Sequence, residues 1–327
     1  MTRIKIALAL SAAVVLAAIG TDTADAQAFP TRPITVIIPF AGGSASDVVS
    51  RIMLDRMSRS MGQPIIVENK PGAGGNSGTM QAARATPDGY TLVGAGSGPI
   101  AANLALYKNL GYDPHKDLDI ISPFASFTIV VTATSKLPIK SLKELVDYAK
   151  ANPGALNYGS VGIGSSQHLA GEYFGQITGV KMTHVPYRNI AQYGPDLIAG
   201  TVQLGFQWFP NVAGPIQAKG ANALAVAGDV RLAALPDTPT STQAGLPAYK
   251  VDGWFALAAP AGTPKPVLER LNKELGDALK DPAVRAGFEK AGAVPIALTL
   301  DQAKKFHADE IVKYRDIIAK AGIAKIE

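Results

Sequence analysis

The chain has 327 residues, of which 47% are hydrophobic and 17% charged, with a formal net charge of +5. That length holds two domains with sizeable cores, and the composition is not that of a disordered chain. There is no cysteine, which excludes disulfides, thiolate chemistry and Cys-ligated metals. The charge is dispersed, with no Lys/Arg run and no basic stripe interleaved with aromatics, so nucleic acid is not an expected partner. The four histidines (His115, His168, His184, His307) follow no metal-ligand spacing. No metal and no cofactor is expected.

Residues 1–26 read as a signal peptide. Met1-Thr-Arg-Ile-Lys5 is a positive n-region, residues 6–19 form an apolar h-region, and Ala24-Asp25-Ala26 places small residues at a cleavage site. The apolar run is short for a membrane span, and no later segment is long enough. The mature chain is expected to start near Gln27, to be exported and to be soluble. Arg3 and Lys5 balance Asp22 and Asp25, so removing this segment leaves the net charge at +5.

From residue 34 onward, strands and helices alternate. Ile34-Thr-Val-Ile-Ile38 predicts a strand covered on both faces. Ala41-Gly-Gly-Ser-Ala-Ser-Asp47 follows as a loop, with a helix over about 47–61 capped by Ser46 or Asp47. Two glycines, hydroxyls and amides at a helix N-terminus, with no Lys or Arg, suit an anion, and a carboxylate as well as a phosphate. Residues 65–67 and 90–93 predict further strands. Helices are predicted near 79–85 and after the loop Gly94-Ala-Gly-Ser97-Gly98.

A second block starts near residue 126, with a strand over 128–133. Ser141-Leu-Lys-Glu144 predicts a capping box for a helix to about 151. Strands are expected at 155–159, 181–186, 202–208 and 223–227. Helices are expected at 168–178, at 190–199 with Pro195 either in its first turn or starting a second segment, and at 211–219. A strand over 254–259 and helices over 265–279, from Asp281-Pro282 and from Thr299 to about 319 complete the chain. The repeated grammar predicts parallel sheets with crossover helices. The last helices have no strands of their own and must return to the first sheet. The expected domains are therefore 27–127 with 253–327, and 128–252, with two crossing segments between them.

Loops at 41–46, 94–98, 160–166 and 210–214 share the same Ser/Gly character. At the carboxyl ends of parallel strands they would face each other across a cleft. Enzymatic readings fit less well. Gly159-Ser160-Val161-Gly162 partly matches a nucleophile elbow, but Tyr158 stands where the first glycine belongs. Its triad partners would be Asp196 or Asp237 and then His307, which falls within a helix. Gly72-Ala-Gly-Gly-Asn-Ser-Gly-Thr79 lacks the lysine of a phosphate loop, and Gly94-Ala-Gly96 lacks the third glycine of a dinucleotide fingerprint. A binding protein needs only neutral donors, an apolar wall and a hinge. Phe40, Tyr187, Trp208 and Phe209 are available as walls.

Several stretches resemble one family along the whole mature chain. They are Arg32-Pro-Ile-Thr-Val-Ile-Ile-Pro-Phe-Ala-Gly-Gly43, Val67-Glu-Asn-Lys-Pro-Gly-Ala-Gly-Gly75 and Thr86-Pro-Asp-Gly-Tyr-Thr-Leu92. Further along come Tyr158-Gly-Ser-Val-Gly-Ile-Gly-Ser165 with His168-Leu169, His184-Val-Pro-Tyr187, Leu235-Pro-Asp-Thr-Pro-Thr240 and Ala259-Pro-Ala-Gly-Thr-Pro264. The family is the extracytoplasmic solute receptors of tripartite tricarboxylate transporters, the Bug family. The resemblance implies an α/β type II periplasmic-binding-protein fold with two lobes and a ligand cleft. It implies a periplasmic, non-enzymatic, monomeric receptor that delivers a small carboxylate to membrane permease subunits. Ligand contacts are implied at Phe40, Ala41, Gly43, Ser44 and Ser46 on one lobe, and at Ser160, Gly162, Ser165, Ser166 and His168 on the other.

The chain departs from the family pattern at the first loop, where Ser46 stands for a threonine, and at Asn189, where a glycine is usual. Gln207 stands near a position where an aspartate is common. A neutral amide there argues for a plain carboxylate rather than an amino acid, and Trp208 beside it suits an aromatic carboxylate. Ser97, Tyr187, Arg188, Gln207 and Trp208 complete the candidate site. Two other readings remain at this point: a secreted serine hydrolase centred on Ser160, and an orphan receptor that signals to a sensor.

Overall fold

Alternating strands and helices build two sheets, and the chain passes between them twice. The computed structural model describes residues 29–320, 323, 325 and 326, so the expected signal peptide at 1–26 lies outside the described residues. Residues 32–327 form one unit. In chain order the strands are β1 (Ile34–Ile38), β2 (Ile65–Asn69), β3 (Thr91–Gly96), β4 (Leu118–Thr128), β5 (Val130–Thr134), β6 (Asn157–Ser160), β7 (Thr183–Pro186), β8 (Leu204–Gln207), β9 (Ala221–Val226), β10 (Asp252–Pro260) and β11 (Ala293–Pro295). The first sheet has the order β11-β4-β10-β3-β1-β2 and the second β7-β6-β8-β5-β9.

The helices that matter for the site start at the ends of strands. They are α1 (Ala45–Met61), α2 (Asn76–Ala83), α3 (Asn103–Leu106), α4 (Leu142–Ala151), α5 (Ser166–Thr178), α6 (Tyr193–Ala199) and α7 (Phe209–Gln217). Three more close the chain: α8 (Lys265–Ala278), α9 (Pro282–Lys290) and α10 (Leu300–Lys320). Their sequence signals act as physical chemistry dictates. Ser141 Oγ accepts from Glu144 N–H, and Asp281 caps α9 ahead of Pro282. Pro195 sits in the first turn of α6, where its missing N–H costs little.

The sheets are mixed, not parallel as the sequence grammar predicts. β1, β2 and β3 are parallel to one another, but β10 runs antiparallel to both β3 and β4. β5 likewise runs antiparallel to β8 and β9. The cause is the crossing. The chain leaves the first sheet on β4, passes Ile129 and enters the second sheet directly on β5. It returns through Val251 into β10, with Ile129 N–H donating to Val251 O at 3.2 Å. Strands that carry the chain between sheets cannot keep the sense of strands fed by crossover helices.

β4 has eleven residues and is absent from the sequence reading, which places a strand at 128–133. Pro123 within the segment argues against a strand. Here the register of β10 slips from Phe255↔Ala125 to Ala256↔Pro123, so Pro123 lies at an irregularity where its missing N–H is tolerated.

Each sheet buries its own apolar cluster. The first packs Val93, Ala95, Leu118, Ile120, Ala256 and Ala258 against Tyr314 and Ile318 of α10. The second gathers Val130, Tyr193, Leu197, Val202, Phe209 and Val212. Trp254 Nε1 donates to Glu310 Oε2 at 2.7 Å, and Lys313 Nζ donates to Glu310 Oε1 at 3.0 Å, which fixes α10 on the first sheet. The terminal helices therefore serve the first sheet.

Candidate functional site

The β1–α1 loop is the first element of the site. Phe40 is buried, its carbonyl accepts from Asn69 Nδ2 at 3.0 Å, and its ring fits against Gly75, where a Cβ would lie 2.9 Å from Cζ. Ala41 O accepts from Ser44 N–H. Helix α1 begins at Ala45, so the cap is Ser44 rather than Ser46 or Asp47. Ser44 Oγ accepts from Asp47 N–H and lies 3.0 Å from Ser46 Oγ, with both residues 2% exposed.

The chain itself uses much of this loop's anion-holding capacity. Gly43 N–H donates to Asp47 Oδ2 at 2.9 Å. Asn69 Nδ2 and Arg51 Nε donate to the other oxygen of the same carboxylate. Ala45 N–H donates to Asn211 Oδ1 at 3.1 Å, a bond from the first sheet's helix to the second sheet's α7. The Ser44 and Ser46 hydroxyls are paired with each other, which leaves one hydroxyl proton of the two to offer.

The second element is the loop from β6 to α5. Ser165 is the N-cap: its Oγ accepts from His168 N–H and donates to Gly162 O at 2.7 Å. Gly162 N–H donates to Ser160 Oγ at 3.0 Å. Gly162 has φ +128 and Gly164 φ +82, conformations that an L side chain rarely adopts. Gly164 N–H donates to His168 Nδ1 at 3.2 Å, which assigns the proton of the neutral ring to Nε2. Ser160 is fully buried, and Ser160 Oγ lies 2.6 Å from His184 Nε2. The His184 and His168 rings are 4.2 Å apart. Burial holds both histidines below their ordinary range, and the neighbouring His168 helps hold His184 down at about 3.

The second element closes on the segments that follow β2 and β3 of the first sheet. Ser97, at the end of β3, has its Oγ 2.9 Å from Ser166 Oγ, and both are buried. Tyr107 donates its hydroxyl to Ile163 O at 3.0 Å. Glycines permit the approach. A Cβ on Gly74 would lie 2.0 Å from Ile163 O, one on Gly98 2.6 Å from Gly164 O, and one on Gly164 2.4 Å from Asn103 Oδ1. The loops from the two sheets are thus closed on one another, backbone against backbone.

Of the four remaining expected residues, Gln207 and Trp208 are buried and Tyr187 and Arg188 lie at or near the surface. Gln207 donates from Nε2 to Gly159 O and accepts at Oε1 from Asn211 Nδ2, so both ends of its amide brace the second sheet. Trp208 is 3% exposed, stacked on Phe127 and met edge-on by Phe255. It offers no aromatic wall, but its Nε1–H is buried with no acceptor among the described residues. Tyr187 is half-buried and donates to Asp196 Oδ2 at 2.7 Å. Arg188 is exposed just past β7.

Sequence reading missed Asn76, Asn103, Gln167, His184 and Asn211. Asn103 Nδ2 donates to Asn76 Oδ1, and Asn103 Oδ1 has no partner among the described residues. Gln167 is 1% exposed and neither end of its amide is bonded. Native interiors rarely leave such groups unpaired. Only the position of Gln167 next to Ser166, at the start of a helix, could have flagged it.

The nucleophilic alternative does not assemble. Ser160 meets His184, whereas His307 donates from Nε2 to Ile100 O at 2.8 Å and Asp196 is held by Tyr187. Among the described residues no group of three or more His, Asp or Glu could hold a metal, and no helix is long and apolar enough to cross a membrane.

Known proteins share this arrangement. The model of the tripartite tricarboxylate transporter family receptor matches residues 49–323. Protein BugT of Bordetella pertussis is 33% identical over 325 residues, 98% of each chain. A protein from the TAR-I region of Agrobacterium vitis is 35% identical over 302 residues, covering 90% of this chain and 86% of that one. Among solved structures, the periplasmic binding protein BugD has a TM-score of 0.86 at 32% identity, covering 91% of this chain and all of that one. An R. palustris protein solved with adipate gives 0.87 at 32% identity, with 91% and 100% covered. A second R. palustris protein, solved with malate, gives 0.81 at 31%, with 89% and 100% covered. The fold is the two-sheet α/β fold of these periplasmic solute-binding proteins, and the relatives are receptors rather than enzymes. The chain belongs to the tripartite tricarboxylate transporter receptor family, the solute-binding receptors that include the Bug proteins.

Proposed function

We propose that this receptor captures a small di- or tricarboxylate in the periplasm and delivers it to the permease subunits of a tripartite transporter. The observation that carries this reading is a meeting of neutral donors from both sheets. Hydroxyls of Ser97, Ser160, Ser165 and Ser166 are buried where the loops close, those of Ser44 and Ser46 are buried at the N-terminus of α1, and the bonds they make are to neutral groups. Neutral, preorganised donors at two helix N-termini bind a carboxylate without the cost of desolvating a cation. Solved relatives that hold adipate and malate support the ligand class.

In this reading the sheets are the cores of two lobes, 27–127 with 253–327 and 128–252, which rotate about the crossing residues near Ile129 and Val251. Phe40, Ala41, Gly43, Ser44 and Ser46 face Ser160, Gly162, Ser165, Ser166 and His168 across the ligand. Tyr187, Arg188, Gln207 and Trp208 stand behind these residues rather than on the ligand's carboxylate. The mature protein acts as a monomer after loss of residues 1–26. Native mass spectrometry of the exported protein, followed by a thermal-shift panel, tests the proposal. A co-purified di- or tricarboxylate that raises Tm supports it. Stabilisation by amino acids or sugars alone would overturn it.

A further inference from the structure

Ser160 Oγ has one proton and two lone pairs, yet three neighbours compete for them. Gly162 N–H fills one lone pair at 3.0 Å. Gly162 O, at 3.1 Å, can take the proton, and His184 Nε2, at 2.6 Å, can either take it or give one. Gly162 O is already supplied by Ser165 Oγ at 2.7 Å and by Ser165 N–H at 3.2 Å, so it does not require the Ser160 proton. The polarity of Ser160 therefore rests on His184. If Nε2 accepts, Ser160 is left with a bare lone pair that repels a carboxylate. If Nε2 donates, both lone pairs are filled and the hydroxyl proton is spare.

We propose that His184 is a positioning residue, held as the neutral Nε2–H tautomer, that donates to Ser160 Oγ and so directs the Ser160 proton to the ligand carboxylate. This rests on the reading of the cleft as a carboxylate site. The surroundings favour a neutral ring. His184 lies against the His168 ring at 4.2 Å and the Tyr158 ring at 5.0 Å. The carboxylate of Glu172 is engaged by Tyr158 OH at 2.5 Å. It lies 3.9 Å from His168 Nε2, so it is directed at His168 and Tyr158. Burial and the adjacent His168 ring therefore oppose an imidazolium at His184, with no carboxylate aimed at it to offset them. His184 opens the His184-Val-Pro-Tyr187 stretch on β7, but no local pattern pairs it with Ser160, 24 residues away.

The test has two arms. Long-range 1H–15N correlation spectra of the full mature chain report the His184 tautomer without any ligand. A protonated Nε2 and a bare Nδ1 are expected, and the reverse overturns the proposal. In calorimetric titrations with adipate and malate, His184→Gln keeps an N–H near the Nε2 position and should stay within about threefold of wild type. His184→Leu should lose about tenfold, Ser160→Ala should lose a similar factor, and the double variant should lose no more than either. Equal losses for His184→Gln and His184→Leu would show a packing role only and overturn the proposal. If neither acid binds, the reading of the cleft fails for these ligands, and the tautomer arm still decides the role of His184.

Discussion

Ser97 and Ser166 belong to different sheets, 69 residues apart, yet their hydroxyls meet at 2.9 Å with both side chains buried. Truncating one partner leaves the other hydroxyl buried and unpaired, which costs roughly 1–3 kcal/mol, whereas removing both can be nearly neutral. Ser97→Ala and Ser166→Ala should each lower unfolding free energy by about 1–2 kcal/mol, and the double variant by less than their sum. Chemical denaturation of the four proteins checks this. Strict additivity would mean that the two hydroxyls do not support each other.

Loop closure depends on a missing Cβ at Gly98. Its neighbour across the cleft is the Gly164 carbonyl, 2.6 Å from where a Cβ would stand, and Gly98 does not have a positive φ. Gly98→Ala thus tests contact without backbone strain. The expected outcome is at least a tenfold loss of ligand affinity together with a lower unfolding midpoint, because holding the loops apart also parts Ser97 from Ser166. Small-angle scattering should show a larger radius for the variant than for wild type when ligand is present.

Stability should fall on acidification through the histidines. His184 is held at about 3 and His168 and His307 are lowered, all chiefly by burial, against an unfolded value near 6.5. Below about pH 6.5 the unfolded chain binds protons that the folded chain does not. The stabilisation is therefore full above that pH and is lost as pH falls toward 3, at up to about 1.4 kcal/mol per pH unit per histidine. Denaturation midpoints between pH 7.5 and 4.5 should decline. His184→Gln should flatten the slope, and an unchanged slope would show that His184 is not held neutral.

Trp208 illustrates what the sequence could and could not tell. Its place at the end of a strand and before Pro210 was legible. Its role was not, because the rings that cover it, Phe127 and Phe255, come from β4 and β10, the two crossing strands. The β1–α1 and β6–α5 loops were legible because Gly, Ser and cap residues act locally. Asn211, which reaches Ala45 N–H from 166 residues away, and Gln207, which braces Gly159, depend on tertiary contacts that no local pattern encodes. The antiparallel strands β5 and β10 were hidden for the same reason: their sense follows from the crossing between sheets, not from their residues.

The buried indole of Trp208 gives a separate expectation. Its Nε1–H has no acceptor among the described residues, so Trp208→Phe keeps an aromatic ring there and removes an unpaired donor. Removing that donor gains about 1 kcal/mol, but the smaller ring leaves a void against Phe127 and Phe255, so stability should fall by roughly 1–3 kcal/mol. Affinity should fall if the ligand's far end accepts that proton. Parallel denaturation and calorimetry separate the two effects.

The central claim is that the β1–α1 and β6–α5 loops grip a carboxylate between them. The most direct measurement is a crystal structure of the exported protein with the ligand it carries from the cell. The account predicts carboxylate oxygens within hydrogen-bond distance of the Ser46 amide or the Ser44 and Ser46 hydroxyls on one side, and of Ser160 on the other. A ligand without a carboxylate, or one seated away from both loops, would contradict it.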